Sequence, residues 1–192
     1  MVEEARVKTE ALQIMGVFHV LPRLVVFDLD YTLWPFYCEC RSKREMPSLY
    51  KDARGILQAF KEKGVDLAIA SRSPAADTAK TFLDKLNITN MFVAKEIFSS
   101  WTHKTDHFKK IHSRTGVPYS SMLFFDDEDR NIKEVSKMGV TSILVGNGVN
   151  LGALRQGLTE FCENVNTSEK NKQRWIKKFS GNSSSSDKNE KK

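Results

Sequence analysis

Five short, nearly continuous apolar runs constrain the fold of this chain more than any other feature. They are LVVF (24–27), VDLAIAS (65–71), MFVA (91–94), SMLFF (121–125) and TSILVG (141–146). Strands with one face in water alternate apolar and polar residues, whereas continuous apolar runs are typical of strands buried on both faces. The runs therefore predict a central parallel sheet.

Amphipathic stretches with helix start and stop signals lie between these runs. The signals, in chain order, are Ser48 with Gly64, Ser73-Pro74, a stretch from about Lys104 to Arg114, Gly139, and Asn150. Strands and helices thus alternate, which implies right-handed crossovers between neighbouring parallel strands. We expect an α/β fold, a three-layer αβα sandwich with a central parallel sheet of the Rossmann-like kind.

The positive charge of the chain is concentrated at its C-terminal end. The net charge is +6, and residues 165–192 carry a net of +5, which leaves +1 for residues 1–164. We interpret residues 1–20 as a lead-in segment, 21–164 as one α/β domain, and 165–192 as a basic, polar tail that is disordered. Within this tail the apolar residues of WIKKF (175–179) are an exception and can dock as a short helix on the body or on a partner. Because the body is nearly neutral, nucleic acid is not an expected partner.

Cysteine count and hydropathy restrict the setting of the protein. Three Cys are too few for a disulfide scaffold, which suits a reducing compartment. No apolar run approaches membrane-spanning length, and the N-terminus MVEEARVKTE carries acids where a leader would be basic. We expect a cytoplasmic protein with no membrane partner. The composition does not fix its oligomeric state.

Acidic residues follow the first and fourth apolar runs directly. Asp28 and Asp30 lie in DLDYT, and Asp126, Asp127 and Asn131 lie in FFDDEDRN. Active sites of open parallel sheets lie at the carboxyl ends of the strands, so these acids converge if the two runs are neighbours. Like charges so close destabilise the fold unless a cation intervenes. An all-oxygen pocket selects a hard ion such as Mg²⁺, which takes a remaining ligand from a phosphate.

Such a pocket favours phosphoryl transfer. A carboxylate that faces a metal-bound phosphoryl group can act as a nucleophile and form an aspartyl-phosphate. A second carboxyl group two residues further on can protonate the departing oxygen and then activate water. A hydroxyl such as Ser71 and an ammonium such as Lys104 can stabilise the phosphoryl oxygens.

The same residues carry a resemblance to a known superfamily. DLDYT (28–32), AIASRS (68–73), Lys104 and FFDDEDRN (124–131), in that order, resemble the four motifs of the haloacid dehalogenase (HAD) superfamily of phosphotransferases. VVFDLDYTLWPF, TGVPYSSMLFFDDEDRN and the GVTSILV ending are similar to the eukaryotic magnesium-dependent phosphatase family, over roughly residues 23–163. The resemblance implies that residues 21–164 form a HAD-like phosphatase domain that is essentially capless, with an open site.

The resemblance also implies roles for individual residues. It makes Asp28 the nucleophile and Asp30 the general acid and base. Ser71 would hold the phosphoryl oxygens, and Lys104 would neutralise charge between Asp28 and the phosphate. Arg72 is a candidate substrate contact, with an ordinary surface residue as the alternative interpretation.

The resemblance implies the metal ligands as well. Mg²⁺ would be bound by the carboxylates of Asp28 and Asp127 and by the backbone carbonyl of Asp30. Asp126 and Asn131 would orient ligand waters and neighbouring groups from behind these ligands. The choice of Asp127 over Asp126 as the direct ligand rests on the residue type that often precedes the ligand in the family.

The expected function is a Mg²⁺-dependent phosphatase acting on phosphomonoesters, since the family is associated with phosphotyrosine and sugar-type phosphates. Protein-tyrosine phosphatase activity is included in this expectation. One alternative is a Ser/Thr phosphoprotein phosphatase like the capless C-terminal-domain phosphatases. Another is a non-catalytic module that only binds phosphate. The segment between Phe36 and Tyr50 is shorter than the insertion that is usual in the family.

Four local patterns have competing interpretations. His103 and His107 have the i, i+4 spacing of a helical zinc pair, and Cys38-Glu39-Cys40 could be half a metal site, but neither has further ligands at zinc spacing. Lys109 and Lys110 are rivals of Lys104, although they continue the helix on a solvated face. The aromatic residues of WPFY (34–37) either pack the following segment onto the body or form a wall that stacks on a substrate ring.

Overall fold

A five-stranded parallel sheet forms the centre of the structure, a computed structural model that describes residues 1–181. Its strands are β1 (Leu24–Phe27), β2 (Asp66–Ser71), β3 (Phe92–Ile97), β4 (Met122–Asp126) and β5 (Thr141–Leu144). Their order is β3-β2-β1-β4-β5, and every neighbouring pair is parallel. The sheet predicted from the apolar runs is therefore confirmed, and β1 and β4 are neighbours.

Helices cover both faces of this sheet. They are α1 (Val2–Gly16), α2 (Ala53–Glu62), α3 (Ala76–Lys85), α4 (Thr105–Thr115), α5 (Asp129–Ser136) and α6 (Leu151–Ser180). Val25 and Phe27 of β1 pack in one apolar cluster with α1, α2, α3 and α6, whereas Leu24 and Val26 pack in a second cluster with α4 and α5. Successive strand residues point to opposite faces, so these two clusters define the three layers.

Two predicted helix starts have different outcomes. Asn150 caps α6 as expected, because its side-chain oxygen accepts a hydrogen bond from the backbone N–H of Ala153 at 2.8 Å. Ser48 does not cap α2, which begins at Ala53 after Asp52. The backbone N–H of Tyr50 instead bonds to the carbonyl of Leu33, so this stretch is tied to the loop after β1 before the helix begins.

The N-terminal segment is an integral part of the larger apolar cluster. Helix α1 buries Val7, Ala11, Ile14 and Met15. It crosses α2 at Gly55, where a Cβ atom would lie 2.8 Å from the Val7 side chain. Only glycine permits this close approach of the two helices. The lead-in segment therefore packs as the first helix of the domain.

The structure differs from the expected disordered tail. Helix α6 continues through residues 165–180 as one element, although residues 166–180 are exposed. This stretch contains no glycine or proline, and six of its 16 residues are Lys, Arg or Gln, which are good helix formers. The rest of the predicted tail, residues 182–192, lies outside the described residues. No described helix is long and apolar enough to cross a membrane.

Candidate active site

Asp28 lies immediately after β1, where the chain leaves the sheet. Its backbone N–H donates to the carbonyl of Phe125 in β4, so the residue is fixed beside the end of that strand. The chain then turns through Tyr31, which has a left-handed φ of 57°. This turn brings the Thr32 hydroxyl 3.2 Å from Asp28 Oδ2, while Lys104 Nζ lies 2.7 Å from Asp28 Oδ1.

Asp126, the last residue of β4, has both of its carboxylate oxygens occupied by protein donors. Oδ2 accepts from Lys104 Nζ at 2.5 Å and from Asn131 Nδ2 at 3.1 Å. Oδ1 accepts from the backbone N–H of Glu128 at 2.8 Å. Asp126 is fully buried. The carboxylate therefore positions Lys104 from beneath the crevice.

Lys104 is buried at the start of α4 with 1% of its surface exposed. It and the preceding His103 both have left-handed backbones, with φ of 76° and 48°. Such conformations cost non-glycine residues on the order of 1–3 kcal/mol each and persist only where surrounding contacts enforce them. Burial alone would lower the pKa of Lys104, but the carboxylates of Asp126 and Asp28 raise it, so the ammonium stays charged.

Asp28 and Asp127 present a pair of carboxyl groups to the same point. With Asp126 they form a cluster whose oxygens lie within 4.8 Å of one another. Burial raises the pKa of Asp28 to about 7, and the neighbouring Asp127 adds to this while Lys104 opposes it. Burial likewise raises the pKa of Asp127. Asp28 and Asp127 line the crevice, whereas Asp126 is fully buried beneath it, so the oxygens that face a hard cation in the crevice belong to Asp28 and Asp127, and this donor set fits Mg²⁺.

The carboxylate of Asp30 is held at the side of the same crevice. Its Oδ1 accepts from the indole Nε1–H of Trp34 at 2.8 Å and from the backbone N–H of Cys38 at 3.1 Å. Trp34 is fully buried and stacks on Phe36. Trp34 and Phe36 therefore pack the segment onto the body, as one interpretation predicted. Tyr37 is half exposed and lines the crevice.

Ser71 and Arg72 line the crevice from the end of β2. The Ser71 hydroxyl accepts from the backbone N–H of Ser73 at 3.2 Å, so its own proton remains available for a ligand. Arg72 donates through Nε to the carbonyl of Ser100 at 3.1 Å. Its Nη1 lies 3.8 Å from a carboxylate oxygen of Glu128. Arg72 is therefore anchored at the rim of the crevice.

The structure gives no support to the zinc interpretations. His107 is buried, and its Nε2 lies 2.8 Å from the carbonyl oxygens of both Ser71 and Phe98. His103 Nδ1 contacts Arg72 at 3.3 Å. Among residues 1–181, neither the histidine pair nor Cys38 belongs to a group with metal-binding geometry. His107 is thus a packed residue that supports the strand end at Ser71.

One crevice of about 230 Å³ collects seven of the eight predicted site residues. They are Asp28, Asp30, Ser71, Arg72, Lys104, Asp127 and Asn131. The eighth, Asp126, lies beneath it against Lys104. Sequence reasoning gave no role to Thr32 or to the N–H groups of Trp34 and Cys38. Thr32 could have been identified, since it belongs to DLDYT, whereas no sequence signal marks the backbone N–H of Cys38.

Solved structures that are similar to this fold include HAD-type hydrolases. A HAD-superfamily hydrolase from Ehrlichia chaffeensis is similar with a TM-score of 0.60 at 13% identity, covering 73% of this chain and 98% of that one. The phosphatase-domain part of a Bacteroides fragilis protein, solved in complex with Mg, is similar with a TM-score of 0.55 at 16% identity, covering 82% of this chain and 43% of that one. The fold is therefore that of the HAD hydrolases.

Sequence comparison indicates a particular family among the HAD hydrolases. The acid phosphatase family model matches residues 20–49 and 40–164. The human magnesium-dependent phosphatase 1 is 40% identical over 158 residues, which cover 74% of this chain and 89% of the human protein. A HAD-like hydrolase superfamily protein of Schizosaccharomyces pombe is 39% identical over 144 residues, covering 62% of this chain and 83% of that protein. The chain belongs to the magnesium-dependent phosphatase family of the HAD superfamily, as the resemblance predicted.

Proposed function

We propose that the protein is a Mg²⁺-dependent phosphomonoester hydrolase that works through an aspartyl-phosphate on Asp28. One observation carries this proposal. The Asp28 carboxylate is buried between the Lys104 ammonium and the Asp127 carboxyl group, and it opens onto a crevice. A carboxylate in this position is oriented for attack, and its charge is balanced on one side only. The other side suits a cation together with a phosphate.

Mg²⁺ is the cofactor that fits this donor set, and the name of the human relative supports it. Asp28 and Asp127 would bind it through their carboxylates, and Asp30 through its backbone carbonyl. Bound there, Mg²⁺ supplies positive charge that attracts the phosphoryl group and offsets its repulsion from the acids. Asn131 and Asp126 keep Lys104 in place, since Asn131 donates to Asp126 and Asp126 accepts from Lys104.

In the first step an Asp28 carboxylate oxygen attacks phosphorus, and the bond between phosphorus and the ester oxygen breaks. Asp30 gives its proton to that departing oxygen, so the alcohol leaves in neutral form. The free hydroxyl proton of Ser71 and the ammonium of Lys104 stabilise the charge on the phosphoryl oxygens. Arg72 adds positive charge at the rim.

In the second step Asp30, now a carboxylate, takes a proton from water. The water oxygen attacks phosphorus, the bond from phosphorus to Asp28 breaks, and inorganic phosphate leaves. Asp28 returns as a carboxylate and Asp30 as an acid, so the cycle closes. The N–H groups of Trp34 and Cys38 fix the Asp30 carboxylate for both proton transfers.

The proposed substrates are phosphotyrosine and sugar-type phosphates. The rim carries Tyr37, half exposed, in edge-to-face contact with Tyr31 at 4.8 Å. These rings offer an apolar surface to a phenyl group or to the face of a sugar. A Ser/Thr phosphoprotein substrate is the alternative. We propose a cytoplasmic setting because all three Cys are free.

Turnover of a substrate panel with Mg²⁺ tests the proposed function. The panel contains phosphotyrosine, a phosphoserine peptide, a hexose 6-phosphate and p-nitrophenyl phosphate, with the Asp28→Asn variant as blank. We expect phosphate release from phosphotyrosine or the sugar phosphate, and none from the blank. Turnover of the phosphoserine peptide alone would transfer the assignment to the Ser/Thr class. Absence of turnover on the whole panel would favour a phosphate-binding module.

A further inference from the structure

The C-terminal part of α6, residues 166–179, is exposed to solvent and is here called the free part of the helix. Leu154, Leu158 and Phe161 in the first half are instead buried against the domain. At 1.5 Å per residue the free part is about 21 Å long. Isolated helices of this length are marginal in water and are usually stabilised by packing of an apolar face. The free part therefore offers a surface that nothing in the described chain covers.

This surface has two chemically distinct sides. Trp175, Ile176 and Phe179 fall on one side at helical spacing, and they are exposed to 64%, 59% and 57%. The rings of Trp175 and Phe179 lie 4.5 Å apart and form one apolar patch. Lys170, Arg174, Lys177 and Lys178 fall about half a turn away, on the opposite side. The helix is therefore amphipathic, with the aromatic residues on one side and these four cations on the other, while Lys172 lies on the aromatic side about one turn before Trp175.

The charge of this segment has one sign. Residues 170–181 carry five basic residues and no acidic one, while residues 1–164 have a net charge of only +1. Most of the net positive charge of the chain thus lies in the free end of α6. An aromatic patch bordered by Lys and Arg is typical of helices that lie in the interface of an anionic bilayer.

We propose that the free end of α6 docks the protein on a membrane surface that carries anionic phospholipid head groups. Trp175, Ile176 and Phe179 enter the boundary between head groups and acyl chains, and the basic residues contact the phosphate and carboxylate groups around them. This proposal departs from the expectation of no membrane partner, which rested on the lack of a membrane-spanning run in the sequence, because peripheral contact needs no spanning helix. It would bring the proposed phosphatase site to phosphorylated groups near that surface.

The pattern favours a membrane surface over a protein groove. A protein groove that binds a helix contacts apolar side chains at positions i, i+3, i+4 and i+7, over two or more turns. Here the same side of α6 carries Ser168 and Lys172 before Trp175, so the apolar patch is limited to about one turn. At a bilayer interface the attraction of cations to anionic lipid adds to the contribution of the buried apolar area, so the cations of this helix supplement one apolar turn.

Co-sedimentation of the full chain with lipid vesicles tests this proposal. Vesicles of phosphatidylcholine alone are compared with vesicles that contain phosphatidylserine, at low and high salt. We expect binding only to the anionic vesicles, and release as salt rises, because screening weakens the charge attraction. Binding that is equal for both vesicle types, or absent from both, would overturn the proposal.

Two variants show how each side of the helix contributes to vesicle binding. Replacing Lys170, Arg174, Lys177 and Lys178 with Gln should weaken partition on the order of 100-fold or more, since each Lys or Arg contributes about fivefold near such a surface. Trp175→Ala with Phe179→Ala should weaken it at least about tenfold through lost apolar contact. Both variants should hydrolyse a soluble substrate at the wild-type rate if that activity exists, and both should keep the wild-type melting curve of the body in any case.

Matched controls make the same types of substitution outside α6, so they show whether the effect depends on where the changed residues lie. Gln at the exposed body residues Lys51, Lys61, Lys63 and Lys80 removes the same charge elsewhere, and Trp101→Ala removes a side chain that is 96% exposed. These controls should bind anionic vesicles as the wild type does; equal loss of binding in them would contradict the assignment to α6.

Other binding outcomes would also overturn the proposal. One is tighter binding to a single-stranded oligonucleotide than to anionic vesicles. Another is dimerisation that the Trp175 and Phe179 changes abolish, in a protein that does not bind vesicles. Vesicle binding is measured without a substrate, so its failure is distinct from failure of the proposed hydrolysis.

Discussion

The Lys104 ammonium lies 2.7 Å from the Asp28 carboxylate, although the two residues are 76 positions apart in the chain. The same ammonium contacts Asp126 at the end of β4. One buried cation thus links the ends of β1 and β4 with the start of α4. It serves the fold and the proposed chemistry together, because it balances the charge of two buried carboxylates and faces the proposed phosphoryl site.

Lys104→Met should destabilise the protein and abolish hydrolysis. Removing one partner of a buried ion network leaves the others uncompensated, which costs about 3–5 kcal/mol. Urea unfolding at pH 8 without metal measures this loss, and Asp126→Asn added to Lys104→Met should recover part of it without recovering turnover. Lys109→Met, an exposed lysine on the same helix, is the control and should change neither quantity. A Lys104→Met variant as stable as the wild type would contradict the ion-network account.

Trp34→Phe should impair proton transfer more than it impairs folding. Phe keeps much of the ring packing but removes the Nε1–H that fixes Asp30. We expect turnover of an alkyl phosphate to fall about tenfold, since general acid catalysis matters most for a poor leaving group. Turnover of p-nitrophenyl phosphate should change less. Trp101→Phe at the surface is the matched control, and an equal loss with both substrates would indicate a structural role only.

Removal of Mg²⁺ with a chelator should abolish hydrolysis, and added Mg²⁺ should restore it. Mg²⁺ should also raise the melting temperature of the metal-free protein, because a ligand that binds only the native state stabilises it. Asp127→Asn should lose most of this rise, whereas Asp126→Asn should lose less, since Asp127 lines the crevice and Asp126 is fully buried against Lys104. The control Asp129→Asn changes an exposed acid nearby. A rise that depends on Asp126 and not on Asp127 would reverse the assignment of ligands.

Several parts of this architecture could be predicted from sequence, and particular contacts explain the rest. The apolar runs around Val25 and Phe124 identify β1 and β4, because strands that are buried on both faces consist of nearly continuous apolar residues. The Lys104–Asp126 contact could not be predicted, since it depends on a left-handed backbone at Lys104 that no local signal marks. Nor could the packing of α1 on Gly55, because an isolated glycine gives no information about which helix approaches it.

Stability should depend on His107 below neutral pH. Burial lowers the pKa of His107 from 6.5 to about 4. The unfolded chain therefore binds a proton near pH 6.5 that the folded chain does not, and stability falls as pH drops from about 6.5 to 4. The loss from this group is on the order of 3 kcal/mol.

Comparison with His107→Gln isolates this contribution, because glutamine does not titrate. The difference in unfolding free energy between wild type and variant should be constant above about pH 7 and should shift in favour of the variant at lower pH. His19→Gln, which replaces an exposed histidine, is the matched control variant. A difference that is flat down to pH 4 would contradict the burial of a neutral imidazole.

Trapping of the phosphoryl group on Asp28 tests the central claim most directly. The Asp30→Asn variant is mixed with Mg²⁺ and p-nitrophenyl phosphate, whose leaving group needs no acid, and intact mass and peptide mapping follow. We expect the added mass of one phosphoryl group on the peptide that contains Asp28, and none when Asp28→Asn is combined with Asp30→Asn. Hydrolysis at the wild-type rate by the Asp28→Asn variant, or a phosphoryl group on any other residue, would contradict the account.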